Sequence, residues 1–194
     1  ECLIVIDDLN RNGTRDLILG TAWGSRSIFA IEGANGETIW SYDTYQHIPS
    51  GWIYSVASMG DLNGDTIPEV LAGAGSDANA GICLNGADGS GRWRRAVFDA
   101  VFSVCRIDDV SGDDLPDAII GAGDYDDRVY CISGGGTDTS SIFWIYDSNG
   151  GSVHSVAPIK DINGDDYDDV VIGTWSNVNS VVAVSGYSAD RVGD

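Results

Sequence analysis

The sequence is poor in basic residues, in histidine and in long apolar runs, and each shortage excludes something. Ten Lys and Arg stand against 30 Asp and Glu, a formal net charge of −20. So acidic a chain repels phosphates, which excludes nucleic acid and anionic membrane surfaces as leading partners. No run of 18 or more apolar residues occurs, so no membrane insertion is expected. No signal peptide is visible and residue 1 is not Met, so the chain reads as a mature or excised segment. Cysteine is limited to Cys2, Cys83, Cys105 and Cys131, without CxxC spacing, which argues against a thiolate metal site. Three pairings of four cysteines stay open, and at least two of the thiols read as small buried strand residues. No segment carries a long 3.6-residue periodicity with caps, so helix content should be low.

What is abundant is acid, gathered in four stretches of one pattern. DLNGDTIPEVLAG carries oxygen side chains at Asp61, Asn63, Asp65 and Glu69, offsets 0, 2, 4 and 8, before an apolar run and Gly73. DLNRNGTRDLILG from Asp8, DVSGDDLPDAIIG from Asp109 and DINGDDYDDVVIG from Asp161 repeat it, with starts 53, 48 and 52 residues apart. A Gly-containing turn followed by Trp keeps the same period, ending at Trp40, Trp93 and Trp144. YSVA at Tyr54 matches FSVC at Phe102 and HSVA at His154. By that count residue 1 falls inside a first strand, and the fourth copy stops before its Trp.

Each unit reads as four short strands rich in Val, Ile and aromatics, bounded by Gly, Asp and Asn. In the second they are WIYSVASM, EVLAGAG, GICLNG and RWRRAVF. Four strands per repeat of about 50 residues point to an all-β fold, a β-propeller of four-stranded antiparallel blades. The blades run approximately 1–48, 49–97, 98–149 and 150–194, three full and a fourth lacking its last strand. The set is expected to belong to a larger ring, with two apolar blade faces that need further blades or another chain to cover them.

Oxygens at offsets 0, 2, 4 and 8 of a tight turn converge on a point, which suits a hard cation. Calcium tolerates carboxylates mixed with an amide and a backbone carbonyl, here from Thr14, Ile67, Leu115 or Tyr167 at offset 6, whereas magnesium demands a regular octahedron. The loops contain no thiol or imidazole, against zinc or copper. An EF-hand is rejected, because its bidentate Glu position holds Leu19, Ala72, Ile120 or Ile172. The plainer alternative is a set of Asx-turns with solvated acids. The expected ligands are Asp61, Asn63, Asp65 and Glu69; Asp109, Ser111, Asp113 and Asp117; Asp161, Asn163, Asp165 and Asp169. Asp8, Asn10, Asn12 and Asp16 form the weakest set, being short of carboxylates beside Arg11 and Arg15. Up to four Ca2+ follow.

These loops resemble the FG-GAP, or VCBS-type, cation-binding repeats of integrin α-subunit propellers and of many microbial surface proteins. The resemblance covers essentially the whole chain and implies calcium between the first two strands of each blade. The FG-GAP dipeptide itself is replaced by GAG and GTW. The stretches ending at Trp40 and Trp93 look like the tryptophan-docking turns of quinoprotein propellers, where the Trp packs between blades.

The opposite rim should gather Trp23, Tyr125, Trp175, Asp124, Asp126 and Asp127, with Tyr42, Tyr45, His47 and Trp52 from the first inter-blade segment. Such a rim suits a protein or carbohydrate ligand; the plainer reading has the rings wedging blades together. His154 is expected as a structural inner-strand residue, and Ser155 as a repeat position matching Ser55 and Ser103, not a triad nucleophile. The RWRR cluster at Arg92 is too short for nucleic acid, and the sequon at Asn12 overlaps a ligand position. Together these readings expect a non-catalytic, calcium-binding propeller of a secreted or cell-surface protein, serving adhesion or assembly. The alternatives are a propeller enzyme, such as a polysaccharide lyase or quinoprotein dehydrogenase, and a structural tile of a surface layer or filament.

Overall fold

Fifteen strands form the fold in the computed structural model, which describes residues 2–47, 51–123, 125–136, 141–176 and 180–192. β1 (Cys2–Ile6), β2 (Asp16–Gly20), β3 (Ser27–Ile31) and β4 (Thr38–Asp43) make the first antiparallel sheet in sequence order. β5 (Ile53–Gly60), β6 (Glu69–Ala74), β7 (Ala80–Leu84) and β8 (Gly91–Ala96) make the second. β9 (Val101–Ile107), β10 (Asp117–Ala122), β11 (Arg128–Ile132) and β12 (Ile142–Asp147) make the third. The fourth has three strands, β13 (Gly151–Ile159), β14 (Asp169–Ser176) and β15 (Ser180–Val184), with an outer strand just beginning where Arg191 bridges Val184. This is the expected propeller architecture, a meander of four blades. A single helical turn, α1 (Thr44–His47), was not foreseen; it sits in the first inter-blade segment, with Thr44 buried and its Oγ1 donating to the Arg26 carbonyl at 2.7 Å.

Blades stack face to face through alternate residues of each strand, as a period of two requires. Ile18, Ile28 and Ala30 of blade 1 meet Val70, Ala72, Ile82 and Leu84 of blade 2 in one buried cluster. Leu71, Cys83 and Trp93 then meet Val104, Ala118, Ile120 and Ile132, and Ile119, Val129, Cys131 and Trp144 meet Val153, Val170, Ile172 and Val184. Inner strands lie side by side, β1 by β5, β5 by β9, β9 by β13. There the amides of Val104 and Val156 donate to Ser55 Oγ and Ser103 Oγ at 3.1 and 3.0 Å. Ser55 and Ser103 thus join blade 2 to blade 3 and blade 3 to blade 4.

The inner strands of blades 2, 3 and 4 share a bulge at one position, and β5 has a second irregularity between Ser58 and Gly60. Ile53 and Ser55 pair with Ala74 and Gly73, leaving Tyr54 out of register. Phe102 and His154 are skipped in the same way. A bulge re-aims the extra side chain, and these three rings turn toward the rim opposite the acidic loops. All four cysteines are free thiols, Cys83 and Cys131 buried, as the plain reading of at least two of them held.

Candidate functional site

The four acidic loops join the first two strands of each blade and share one end of the molecule. Their first aspartates act on the backbone. Asp61 accepts from Asn63, Gly64 and Asp65 through Oδ1 at 3.1, 2.7 and 3.2 Å, and from Thr66 through Oδ2 at 2.8 Å. Asp8, Asp109 and Asp161 repeat the bond to the amide five residues on, at 2.6, 2.7 and 3.0 Å. Thr66, Asp114 and Asp166, at that fifth position, have φ of 72°, 66° and 70°. A left-handed residue there costs steric energy that the carboxylate's hydrogen bonds offset. Desolvation works to raise the Asp61 pKa, yet the amides of Thr66, Asn63, Gly64 and Asp65 outweigh it and hold the carboxyl below its usual value. These aspartates are thus Asx-turn acceptors, as the plainer alternative described; in Asp61, Oδ1 accepts three amides and Oδ2 one.

The carboxylate at offset 8 is buried in every blade: Asp16, Glu69, Asp117 and Asp169. Each accepts the amide next to the loop's first residue, Leu9, Leu62, Val110 or Ile162, at 2.6 to 2.9 Å. Asp16, Asp117 and Asp169 also accept from Gly33, Gly134 and Gly186, at 3.0, 2.9 and 3.4 Å. Those glycines open the turn after the third strand, so the buried acid ties the metal-type loop to the hairpin beside it. Burial pushes the Glu69 and Asp117 carboxyls above their usual values, against the pull of the amides they accept.

Among the described residues one group of three acids, Asp109, Asp113 and Asp117, brings carboxylate oxygens within 4.8 Å of one another. The donors of this third loop are of the kind a divalent ion takes: all are oxygens, one acid is buried, and Ser111 Oγ donates to Asp117 Oδ1 at 3.1 Å. In the second loop Asn63 points Nδ2 between Asp65 Oδ2 and Glu69 Oε1, at 3.1 and 2.7 Å. Asn163 does the same to Asp165 and Asp169 at 2.9 and 3.5 Å. An amide N–H2 between two carboxylates does for them what a cation would, and the oxygen expected as a ligand instead caps the turn at Asp65 or Asp165. The first loop departs furthest. Asn10 Oδ1 accepts the Asn12 amide at 3.2 Å, Asn12 Nδ2 donates to Glu32 Oε1 at 2.6 Å, and Arg11 reaches the Asp65 carbonyl at 2.5 Å.

The opposite rim carries an unbroken ladder of rings. Trp23 lies 4.4 Å from Trp52, Trp52 6.2 Å from Tyr54, and Tyr54 5.1 Å from Phe102. Phe102 stacks on His154 at 4.6 Å, and His154 meets Trp175 edge-on at 5.3 Å. The bulged residues, His154 among them, are its middle rungs. Its ends are open: Trp23 is 76% exposed, Trp175 64% and nearby Tyr125 88%. Of the acids expected on this rim, Asp126 is buried and accepts from Tyr130 Oη and the Phe98 amide, both at 2.7 Å. Asp127 is a turn residue with φ of 55° whose carbonyl accepts from Ser148, and Asp124 lies outside the described residues. Tyr42 is a buried strand residue and Tyr45 takes the Arg26 guanidinium over its ring. The RWRR cluster serves structure: Arg92 and Arg94 donate to the Leu62 and Ala78 carbonyls, and Arg95 lies over the Tyr130 ring.

No family model matches the sequence, and neither does any curated protein. Solved structures do resemble the fold. Sqt1 of Saccharomyces cerevisiae superposes with a TM-score of 0.71 at 13% identity, over 98% of this chain and 48% of its own. BamB from Moraxella catarrhalis gives 0.57 at 14%, over 99% and 49%. BBS1N, solved in complex with ARL6DN, gives 0.61 at 12%, over 95% and 51%. At these identities the likeness concerns fold alone, and the chain spans about half the length of each of these propellers.

Proposed function

We propose that the chain is a non-catalytic interaction scaffold whose acidic loops bind Ca2+, a divergent relative of the FG-GAP and VCBS-type repeats, in an extracellular or cell-surface protein. The convergence of Asp109, Asp113 and Asp117 carries this reading. Three carboxylates so close, one of them buried, repel one another, and a divalent ion relieves both the repulsion and the desolvation. Loops 2 and 4 take an ion once the Asn63 and Asn163 side chains turn to present Oδ1; loop 1 is the weakest. An oxygen-only loop of this kind suits the millimolar calcium of extracellular settings.

The scaffold half of the proposal draws support from the fold, since the BBS1 propeller was solved with a protein partner. The exposed ends of the aromatic ladder supply the contact surface, for a protein or a carbohydrate. Thermal melting in excess calcium and then in chelator tests the calcium half. At a hundredfold excess over Kd, binding to the folded state alone adds about 2.7 kcal/mol, roughly 5–11 °C for a chain of this size. Asp113→Ala should remove most of the third loop's share, and a melt indifferent to calcium overturns the reading.

A further inference from the structure

Three of the four hairpins between third and fourth strands are copies of one turn. Glu32, Asn85 and Ser185 donate to the carbonyls of Glu37, Ser90 and Asp190, and accept from Gly36, Gly89 and Ala189, all at 2.8 to 2.9 Å. A Cβ at Gly33, Gly86 or Gly186 would lie 1.9 to 2.0 Å from the carbonyl oxygen of Arg15, Pro68 or Asp168, so all three glycines occupy one position. Two of these turns seat a tryptophan from the preceding blade. Trp40 Nε1 donates to the Gly86 carbonyl at 2.7 Å, and Trp144 Nε1 to the Gly186 carbonyl at 2.6 Å. The Trp40 ring lies so close over Gly89 that a Cβ there would meet it at 2.6 Å.

The blade 1 turn has the same shape, and among the described residues no tryptophan is seated on it. Gly33 and Gly36 are exposed where Gly86 and Gly89 are buried, and a Cβ on Gly36 would meet nothing within 4 Å. The sheet face beside it is apolar and open. Leu3 and Val5 are 58% and 61% exposed. Leu17, Leu19, Phe29 and Ile31 are half-buried at the positions where Val70, Ala72, Ile82 and Leu84 are fully covered by blade 1.

We propose that this face is a docking site for a fifth blade, not among the four described, whose outer strand places a Trp indole over Gly36 and donates its N–H to the Gly33 carbonyl. The occupied seats at Gly86 and Gly186 define the chemistry of the occupant. Among the described residues, the outermost strand of a second copy, Arg191 and Val192, offers no Trp to that seat. The inference does not depend on calcium.

The test appends a blade. Residues 98–154 are duplicated ahead of Cys2, because His154 aligns with residue 1 and blade 3 already packs against an aliphatic face, Val170, Ile172, Val182 and Val184. Amide exchange in β2 and β3 should slow at least tenfold, the added Trp should become shielded from acrylamide, and W144F in the added copy should reverse much of both. An added blade that melts separately and leaves exchange unchanged overturns the proposal. So does self-association of the unmodified chain that protects the same amides. On the unmodified chain, Leu3→Ser should leave Tm almost unmoved while Val56→Ser, its covered counterpart, lowers it by several degrees. Equal losses would mean that the face is already covered, and would overturn the proposal even if the fusion failed to fold.

Discussion

At the scale of single residues the tryptophans separate two roles that look alike in sequence. Trp40, Trp93 and Trp144 are all buried at one position of their blades, yet Trp93 Nε1 has no acceptor among the described residues. Its hairpin, at Gly134, is the one that differs: Ser133 donates to the carbonyl of Ser141 across a longer turn. Changing Trp40 to Phe removes ring area and also strands the Gly86 carbonyl, which adds about 1–2 kcal/mol to the loss. Changing Trp93 to Phe removes similar area and relieves an orphaned donor. In urea unfolding Trp40→Phe should therefore be the more damaging by at least about 1 kcal/mol. Equal midpoints would deny the inter-blade hydrogen bond any net value. The thiols follow the same logic of burial, which pushes Cys83 and Cys105 up to about 12 and leaves them inert at neutral pH.

At the scale of elements the acidic loop and its hairpin act as one unit. The first aspartates of three loops, Asp8, Asp61 and Asp161, titrate below their usual value in the folded chain. The unfolded chain therefore takes up protons first on acidification. Their contribution is complete above the ordinary aspartate value and is lost as pH falls through the lower folded values. Asp61→Asn, with one acceptor oxygen instead of two, should lower Tm at pH 7 in chelator and flatten its decline toward pH 3; an acid limb as steep as before would show that Asp61 contributes little to it. Much of this unit was legible in the sequence. Oxygen offsets and apolar alternation are local signals, and they located the strands, the turns and the third loop's converging acids. What could not be read was set by distant partners. The offset-8 carboxylate looked like one more ligand, but its second task is to bind a glycine amide 17 residues away. Tyr54, Phe102 and His154 looked like ordinary strand positions, because a bulge is a property of two paired strands and not of one. The direction of the Asn63 amide depends on Glu69, six residues on, and offsets alone do not give it.

At the scale of the whole molecule, charge is the unbalanced quantity. Apolar blade faces hold the sheets together, while 30 acids and 10 bases leave a net charge of −20 on a small arc. Most of the described ion pairs that offset it lie at the surface, such as Lys160 with Asp168 at 2.8 Å and Arg106 with Asp108 at 3.0 Å, and pairs of that kind contribute little. Repulsion among the acidic loops should therefore outweigh attraction, and screening should stabilise the fold. Raising NaCl from about 10 mM to 150 mM shortens the Debye length from roughly 30 to 8 Å, less than the breadth of one blade. In chelator the expected result is a Tm that climbs steadily over this range, because the unfolded chain separates its charges and gains less from screening. Calcium at matched ionic strength should add a further rise that saturates, since site binding reaches occupancy and screening does not. A Tm that falls with NaCl would mean that the few surface pairs dominate, and the strain attributed to the acidic loops would have to be abandoned.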